Sequence, residues 1–203
     1  MIDLQKLEDY LKNCLKDDKS GHDYPHVMRV MDNVKEIIKN YPEVENEVLL
    51  TACLLHDIAF KDGFVKNHHL IGAKQTGEIL KQFNFPEEKI RKVQISIEDH
   101  CGMMVDPVRK DSELCIESKI LRDADNIDAF GAIGIIRQIA FCTANGIPYF
   151  KSKGDKLNES MYGGMKEIIT WKNKMLTPEG KRIAESRIPI MKKWCKQIEK
   201  EYA

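Results

Sequence analysis

The sequence contains no apolar run long enough to span a membrane, and neither sign of charge is in excess. Its 32 basic and 32 acidic residues give a formal net charge of +0, so no overall field attracts nucleic acid or an anionic membrane surface. The first residues also lack the charged and apolar regions of a signal peptide. We therefore expect a cytoplasmic protein that binds neither nucleic acid nor membrane.

Paired cysteines, glycine-rich phosphate loops and strand patterns are also missing. The 6 cysteines show no C-x-x-C spacing, which favours reduced thiols over a disulfide framework. The absence of a Walker-type loop argues against the use of a nucleotide as an energy source. No alternating apolar and polar run is long enough to predict a β-strand.

Apolar residues instead recur at helical spacing along nearly the whole chain. This pattern predicts an all-α protein, a bundle of about ten helices. With 203 residues, 42% of them hydrophobic, the chain can bury one core, and we predict a single domain over residues 1–203. Its core is expected at about 20–145 and a C-terminal helical extension at about 155–203. Residues 101–113 and 142–157 are predicted to be loops.

The most informative pattern is the pair His56-Asp57, which closes an apolar helical run from Leu49 to Ile58. Burial of an imidazole beside a carboxylate is costly unless the two groups pair or bind a metal. Adjacent helical residues point about 100° apart, so both can face one ion only if it lies at the helix end. Further ligands, for which His26 and Asp125 are candidates, would have to come from other helices.

Five segments extend this pattern in a fixed order along the chain. They are GHDYPHVMRV at 21–30, ACLLHDI at 52–58, HHLIGA at 68–73, IEDH at 97–100 and DADNIDAFGAIGIIR at 123–137. Together they resemble the HD-domain metal-dependent phosphohydrolases over roughly residues 20–145. The last segment resembles the small bacterial YedJ/YpgQ-like group, which cleaves nucleotides.

The resemblance implies a metal site formed by His26, His56, Asp57 and Asp125. Within Ala124-Asp125-Asn126, the family pattern selects Asp125 rather than its neighbours Asp123 and Asp128. Two nitrogens and two oxygens suit one divalent ion, and Mn, Mg, Co, Ni, Fe and Zn all remain open. Such a set leaves positions for water and substrate, which is typical of a catalytic site.

The catalytic residues implied are Asp57, Asp128, His69 and His100. Asp57 or Asp128 would orient or deprotonate a metal-bound water. His69 and His100 resemble histidines that bind a second ion in two-metal HD proteins, and here they would contact phosphate or protonate the leaving oxygen. His68 is more typical of a surface loop.

Arg29 and Lys66 are candidate substrate-binding residues, together with His69 and His100. Arg29 could hold a phosphate or Asp57, and Arg137 could do likewise or lie on a helix surface. Lys66 could screen phosphate charge, although loop lysines are usually solvated. Asp128 could instead pair with Arg29 or with Arg122.

The reaction implied is hydrolysis of a phosphate ester or anhydride in a small-molecule nucleotide. The resemblance points to a nucleoside triphosphate cleaved to monophosphate and pyrophosphate. Three alternatives stay open: a 5′-nucleotidase, a non-catalytic nucleotide-sensing HD module, and an iron oxygenase on the same scaffold. A homodimer also stays open.

Overall fold

The computed structural model describes residues 3–62, 67–103, 107–150 and 160–202. Over these residues it contains α-helices and short 3-10 turns and no β-strand, which confirms the all-α prediction. The described α-helices are α1 (Leu4–Cys14), α2 (Tyr24–Ile37), α3 (Asn46–Leu55), α4 (His68–Gln82), α5 (Glu87–Asp99), α6 (Ile116–Asp128), α7 (Gly131–Ala144), α8 (Met161–Thr170) and α9 (Pro178–Tyr202). Shorter 3-10 turns lie at Ile38–Asn40, Ile58–Asp62, Asp111–Glu113 and Trp171–Lys174.

The chain forms two compact units. The first comprises Met1–Asp18 and His22–Asp125, and the second comprises Lys19–Gly21 and Asn126–Ala203. Helix α6 therefore begins in the first unit and ends in the second. The predicted single domain with a C-terminal extension stays a prediction.

In the first unit, α4 packs against α5, α3 packs against α5, and α2 packs against α3. The buried core of this unit includes Leu7, Leu11, Val27, Val30, Val34, Leu49, Leu55, Ile97 and Leu121. Burial of such side chains contributes about 1.5–3 kcal/mol each, which fixes the helices that carry the polar cluster described below.

Local sequence explains why α2 begins where it does. The side chain of Asp23 accepts a hydrogen bond from the backbone N–H of His26 at 2.9 Å, and Pro25 lies in the first turn. This cap places His26 in the first turn of α2, where its side chain is fully buried.

Helix α3 ends at Leu55, so that His56 is its C-cap and the 3-10 turn of Ile58–Asp62 follows. This confirms the prediction that the apolar helix ends at the His56-Asp57 pair. Helix α4 begins at His68, so His68 and His69 lie in its first turn.

Two separate helices, α6 and α7, occupy residues Ile116–Asp128 and Gly131–Ala144. Gly131 starts α7 with φ +80, a conformation that disfavours residues with a Cβ. A Cβ on Gly134 would overlap the carbonyl oxygen of Ala129, so the backbone here approaches itself closely. Two glycines at this spacing therefore permit a sharp break in an otherwise helical pattern.

In the second unit, α7, α8 and α9 pack against one another. The side chain of Ser160 caps α8 by accepting a hydrogen bond from the N–H of Gly163 at 3.1 Å. Arg187 on α9 donates a hydrogen bond to the carbonyl oxygen of Ile127 at 3.1 Å, which ties α9 to the end of α6.

No single helix in the described part of the chain is both long and apolar enough to cross a bilayer. Taken together as one bent pair, α6 and α7 pass the test of length and composition, but buried core helices pass the same test.

Candidate metal centre

Four predicted side chains from three different helical segments meet in the first unit. His26 comes from the start of α2, His56 and Asp57 from the end of α3, and Asp125 from α6. The Nε2 atom of His26 lies 3.3 Å from Oδ2 of Asp57 and 3.3 Å from Oδ1 of Asp125. The Nε2 atom of His56 lies 3.3 Å from the same Asp57 oxygen and 3.9 Å from the same Asp125 oxygen. The two Nε2 atoms are 3.4 Å apart.

Backbone contacts orient these side chains. The Nδ1–H of His56 donates a hydrogen bond to the carbonyl oxygen of Cys53 at 2.8 Å, so Nε2 is the ring nitrogen directed into the cluster. The side-chain amide of Asn33 on α2 donates to the carbonyl oxygen of Ala124 at 2.9 Å. This bond joins α2 to α6 next to Asp125, so two ligand-bearing helices are fixed together.

Burial and charge act against each other in this cluster. Burial raises the pKa of Asp57, but His56 and His26 outweigh it, and the net pKa lies well below its usual range. The pKa of Asp125 is lowered in the same way, by His26 and His56 against burial. Burial lowers the pKa of His56, but the carboxylates of Asp57 and Asp125 bring the net pKa above its usual value. Ionised carboxylates therefore favour the protonated form of His56, whose ring must be neutral to bind a cation.

The residues fit a divalent cation on two observations. Oδ2 of Asp57 is buried and has no hydrogen-bond partner among the described groups, although such an atom is costly to leave unsatisfied. Ligand atoms about 2.0–2.2 Å from one ion lie about 3.0–3.5 Å from each other. The donor atoms of His26, His56 and Asp57 are 3.3–3.4 Å apart, which agrees with this spacing. Asp125 is the most exposed member, with 24% of its side chain accessible, so the cluster is open to solvent on its side.

A second group of side chains lies against the other oxygen of Asp57. Oδ1 of Asp57 is 3.9 Å from Nε2 of His68 and 3.8 Å from Nε2 of His100. Sγ of Cys101 lies 3.2 Å from the His68 nitrogen and 3.5 Å from the His100 nitrogen. Sequence analysis treated His68 chiefly as a surface residue and gave Cys101 no role. The adjacency of Cys101 to His100 was the signal that could have indicated this group.

His100 is held as a neutral ring. Its Nδ1–H donates a hydrogen bond to the carbonyl oxygen of Ile97 at 2.6 Å. Burial, together with the nearby rings of His68 and His56, lowers the pKa of His100 to about 3. Its Nε2 atom therefore carries a lone pair at neutral pH in the metal-free protein.

His69 follows His68 on α4 but has a different environment. Its side chain is buried, its Nδ1 atom has no hydrogen-bond partner among the described residues, and its ring meets His68 edge-on at 5.7 Å. Burial, followed by the charge of His68, lowers its pKa. The structure thus brings His68 rather than His69 to Asp57, and the predicted contact of His69 with phosphate stays a prediction.

The remaining predicted residues lie in different places. Asp128 belongs to the second unit, is buried, and pairs with Arg137 through an Oδ2–Nη1 distance of 3.3 Å. Arg122 donates instead to the carbonyl oxygen of Asp99 and to the Asp111 carboxylate, both at 2.8 Å. The structure therefore gives Asp128 a pairing with Arg137 that the sequence did not predict, and its predicted pairing with Arg29 stays a prediction.

Arg137 also donates from Nε to the carbonyl oxygen of Gly21 at 2.8 Å, so its guanidinium has a structural role within the second unit. Arg29 is half-buried on α2, and its predicted contact with phosphate stays a prediction. Lys66 lies outside the described residues.

Aromatic rings border the cluster in the first unit. The ring of His22 stacks on Phe60 with a centroid distance of 4.0 Å and an interplanar angle of 8°, and it meets His26 edge-on at 5.8 Å. Phe60 in turn contacts His68 at 4.9 Å. Sequence analysis gave neither His22 nor Phe60 a role, because stacking between residues distant in sequence leaves no periodic signal.

Comparisons with known proteins agree with this fold and cluster. The sequence model of the HD domain matches residues 24–129, more than half of the chain. The chain therefore belongs to the HD domain family.

Among curated proteins, the chain is 28% identical to the uncharacterized protein YpgQ of Bacillus subtilis (strain 168), over 97% of this chain and 92% of that protein. Among solved structures, it resembles B. subtilis YpgQ in complex with ADP, with a TM-score of 0.74 and 25% identity, covering 97% of this chain and 96% of the other. It also resembles an HD-superfamily hydrolase from Bacillus thuringiensis, with a TM-score of 0.71 and 26% identity, covering 98% and 96% of the two chains.

Proposed function

We propose that this protein hydrolyses a phosphate ester or anhydride of a small nucleotide, and that nucleoside triphosphates are cleaved to monophosphate and pyrophosphate. The observation that carries the proposal is the convergence of two imidazole nitrogens and two carboxylate oxygens at 3.3–3.9 Å, with Asp125 on the solvent side. Support for a nucleotide comes from the YpgQ structure, which contains ADP.

His26, His56, Asp57 and Asp125 would hold one divalent ion. The ion supplies electrostatic stabilisation of phosphoryl oxygens and lowers the pKa of water, as in other metal-dependent hydrolases. The nitrogen and oxygen ligands do not select among Mn, Mg, Co, Ni, Fe and Zn, because ligands of borderline to hard character bind all of these ions.

Side chains of the cluster would bind the ion and orient one another. Asp57 offers Oδ2 to the cluster as a buried acceptor, and the bond from His56 to Cys53 holds its imidazole in one tautomer. The partial exposure of Asp125 gives phosphate an approach from that side. Arg29 is proposed to contact a substrate phosphate, and Lys66 to do the same from the segment before α4.

Proton transfer is assigned to carboxylate and imidazole side chains. A carboxylate, Asp57 or Asp128, is proposed to accept a proton from the attacking water, and His69 or His100 to contact the leaving phosphate. Replacement of His69 by Gln separates these roles, because loss of a phosphate contact raises KM, whereas loss of a proton donor lowers kcat and alters its pH profile.

The test is a panel of nucleoside tri-, di- and monophosphates assayed with Mn²⁺, Co²⁺, Ni²⁺ and Mg²⁺, with orthophosphate and pyrophosphate measured separately. We expect pyrophosphate from triphosphates, loss of activity with chelator, and recovery when the ion is restored. Asp57→Ala should abolish turnover without changing the helical circular dichroism. The matched control is Asp32→Ala, which replaces an exposed aspartate on α2 and should change neither turnover nor circular dichroism. Turnover that survives complete chelation, or full activity in Asp57→Ala, contradicts the proposal.

Other outcomes of the same panel identify the alternatives. Orthophosphate released from monophosphates alone indicates a 5′-nucleotidase. A nucleotide-induced rise in Tm without turnover indicates a sensing module. Co-purified iron with oxygen uptake and no phosphate release indicates an oxygenase.

A further inference from the structure

A groove in the second unit lies between α9 and the 3-10 turn of Trp171–Lys174. Its volume is about 520 Å³, within the range of pockets that bind small molecules, about 300–1,000 Å³. Four lysines, one glutamate and two apolar residues line it, and none of them belongs to the metal cluster. We call it the lysine groove, after Lys172, Lys192, Lys193 and Lys196.

One positive charge of the lysine groove is compensated and three are not. Nζ of Lys172 lies 3.6 Å from Oε1 of Glu185, and this ion pair joins the 3-10 turn to α9. Lys192, Lys193 and Lys196 are exposed and have no ion-pair partner among the described residues. The groove therefore carries a formal excess of three positive charges, although the net charge of the whole chain is +0.

The three unpaired lysines share one face of α9. Successive helical residues are about 100° apart, so Lys196 projects between Lys192 and Lys193 when viewed down the axis. Lys192 and Lys196 are four residues apart, a spacing at which like charges repel and destabilise a helix. An anion bound among the three ammonium groups would relieve this repulsion.

Two apolar residues complete the lining of the lysine groove. Ile188 is buried, and Pro189 follows it inside α9. Proline has no N–H to donate to the carbonyl oxygen of Glu185, four residues earlier, so the helical hydrogen bonds are interrupted beside the groove. The groove thus combines a cationic wall with a small apolar surface.

We propose that the lysine groove binds the di- or triphosphate group of a small molecule. Each lysine offers a compact positive charge with three rotatable donors, which suits charged oxygens spread along a phosphate chain. Lys192 and Lys196 are separated by a rise of about 6 Å along the helix, so a chain of phosphates can contact both. Inorganic pyrophosphate or triphosphate and a nucleoside di- or triphosphate share this chemistry.

The test is calorimetric titration of the whole protein with pyrophosphate in the absence of added metal. We expect one pyrophosphate bound per chain, with an affinity that falls as salt is added. The affinity of Lys192→Gln/Lys196→Gln should be lower by at least about tenfold, because two charge-assisted contacts are lost. The matched control is Lys16→Gln/Lys74→Gln, which removes two exposed lysines of the first unit and should bind as the wild type does.

Asp57→Ala separates this inference from the proposed function, which involves the metal cluster. Without a cation, the ionised carboxylates of Asp57 and Asp125 repel an anion from that cluster. Asp57→Ala should therefore lose hydrolysis and still bind pyrophosphate with the affinity of the wild type. If the wild type hydrolyses nucleotides but does not bind pyrophosphate without metal, the proposed function stands and the inference fails.

Comparison of ATP with inorganic triphosphate under the same conditions distinguishes the two sources of the ligand. Tighter binding of ATP indicates a nucleotide whose base contacts Ile188 and Pro189, whereas equal affinity indicates a free polyphosphate. An oligonucleotide or an anionic vesicle that binds this groove more tightly than pyrophosphate would assign it to a macromolecule and overturn the proposal.

A measurement on the wild type alone covers the case in which the double variant does not fold. Pyrophosphate should slow the chemical acetylation of Lys192 and Lys196 and leave the acetylation of Lys74 unchanged. Equal acetylation with and without pyrophosphate, or equal affinity of the folded Lys192→Gln/Lys196→Gln and the wild type, would overturn the inference.

Discussion

Acidification of the metal-free protein should destabilise it through His100. Its pKa falls from 6.5 to about 3 because burial, then the rings of His68 and His56, disfavour the charged form. The unfolded chain exposes the ring and restores its ordinary pKa. Between these two values the unfolded state binds one more proton than the folded state, so stability is complete above pH 6.5 and is lost as the pH falls towards 3.

The magnitude follows from these two pKa values. Each pH unit between them costs about 1.4 kcal/mol, so acidification from pH 7 to pH 4.5 should cost roughly 2–3 kcal/mol through this one residue. That is a large part of the total stability of a typical domain, about 5–15 kcal/mol. Gln at this position cannot take up a proton, so His100→Gln should not show this loss.

The assay is denaturant unfolding at several pH values in the presence of chelator, with wild type and His100→Gln compared at each pH. The difference in free energy of unfolding should shift by roughly 2–3 kcal/mol in favour of the variant between pH 7 and pH 4.5. Ser96→Ala, which alters a buried and non-titrating side chain on the same helix, should give a difference that does not vary with pH. A constant difference for His100→Gln as well would refute the reasoning.

Three further predictions concern the scaffold. Gly134→Ala should destabilise the protein by about 3 kcal/mol, because the added Cβ would overlap fixed backbone. The control is Gly77→Ala, whose Cβ would meet the end of a glutamine side chain and which should change stability by less than about 1 kcal/mol. Thermal unfolding of the two variants measures this difference. Asp99→Asn should cost about 2 kcal/mol in urea unfolding, because this buried carboxylate accepts hydrogen bonds from an arginine at 2.6 Å and a serine at 2.9 Å. The hydrogen bond to Glu8 and partial burial raise the pKa of Tyr24 to about 12. Glu8→Gln removes the carboxylate but not the burial, so it should lower this pKa towards the usual value of about 10 in a spectrophotometric titration, and an unchanged value would contradict that assignment.

Sequence analysis was most successful where chemistry and helix periodicity coincide. The His56-Asp57 pair marked the end of an apolar helix, and the structure ends α3 at Leu55. The spacing of His26 and Asp125 indicated partners for that pair through family resemblance, and the structure brings both within 3.9 Å of it. Their roles as metal ligands nevertheless stay predictions until an ion is measured.

The sequence does not predict which of two adjacent residues on a helix faces the cluster. His68 and His69 are adjacent on α4, so their side chains point about 100° apart, and only the rotation of α4 about its axis decides which of them faces Asp57. That rotation depends on packing against α5 and against the 3-10 turn Ile58–Asp62, which no local pattern encodes. The pairing of Asp128 with Arg137 was missed for the same reason, because the break before α7 changes which residues share a face.

The sequence by itself determined that this chain is helical, where its apolar faces lie, and that two histidines and two aspartates are candidate ligands, because periodicity and residue chemistry are properties of the chain alone. Only the tertiary structure decided that His68 and Cys101 join His100 at Asp57. Their meeting depends on how α4 and the end of α5 pack against the end of α3, and packing is a property of distant segments taken together.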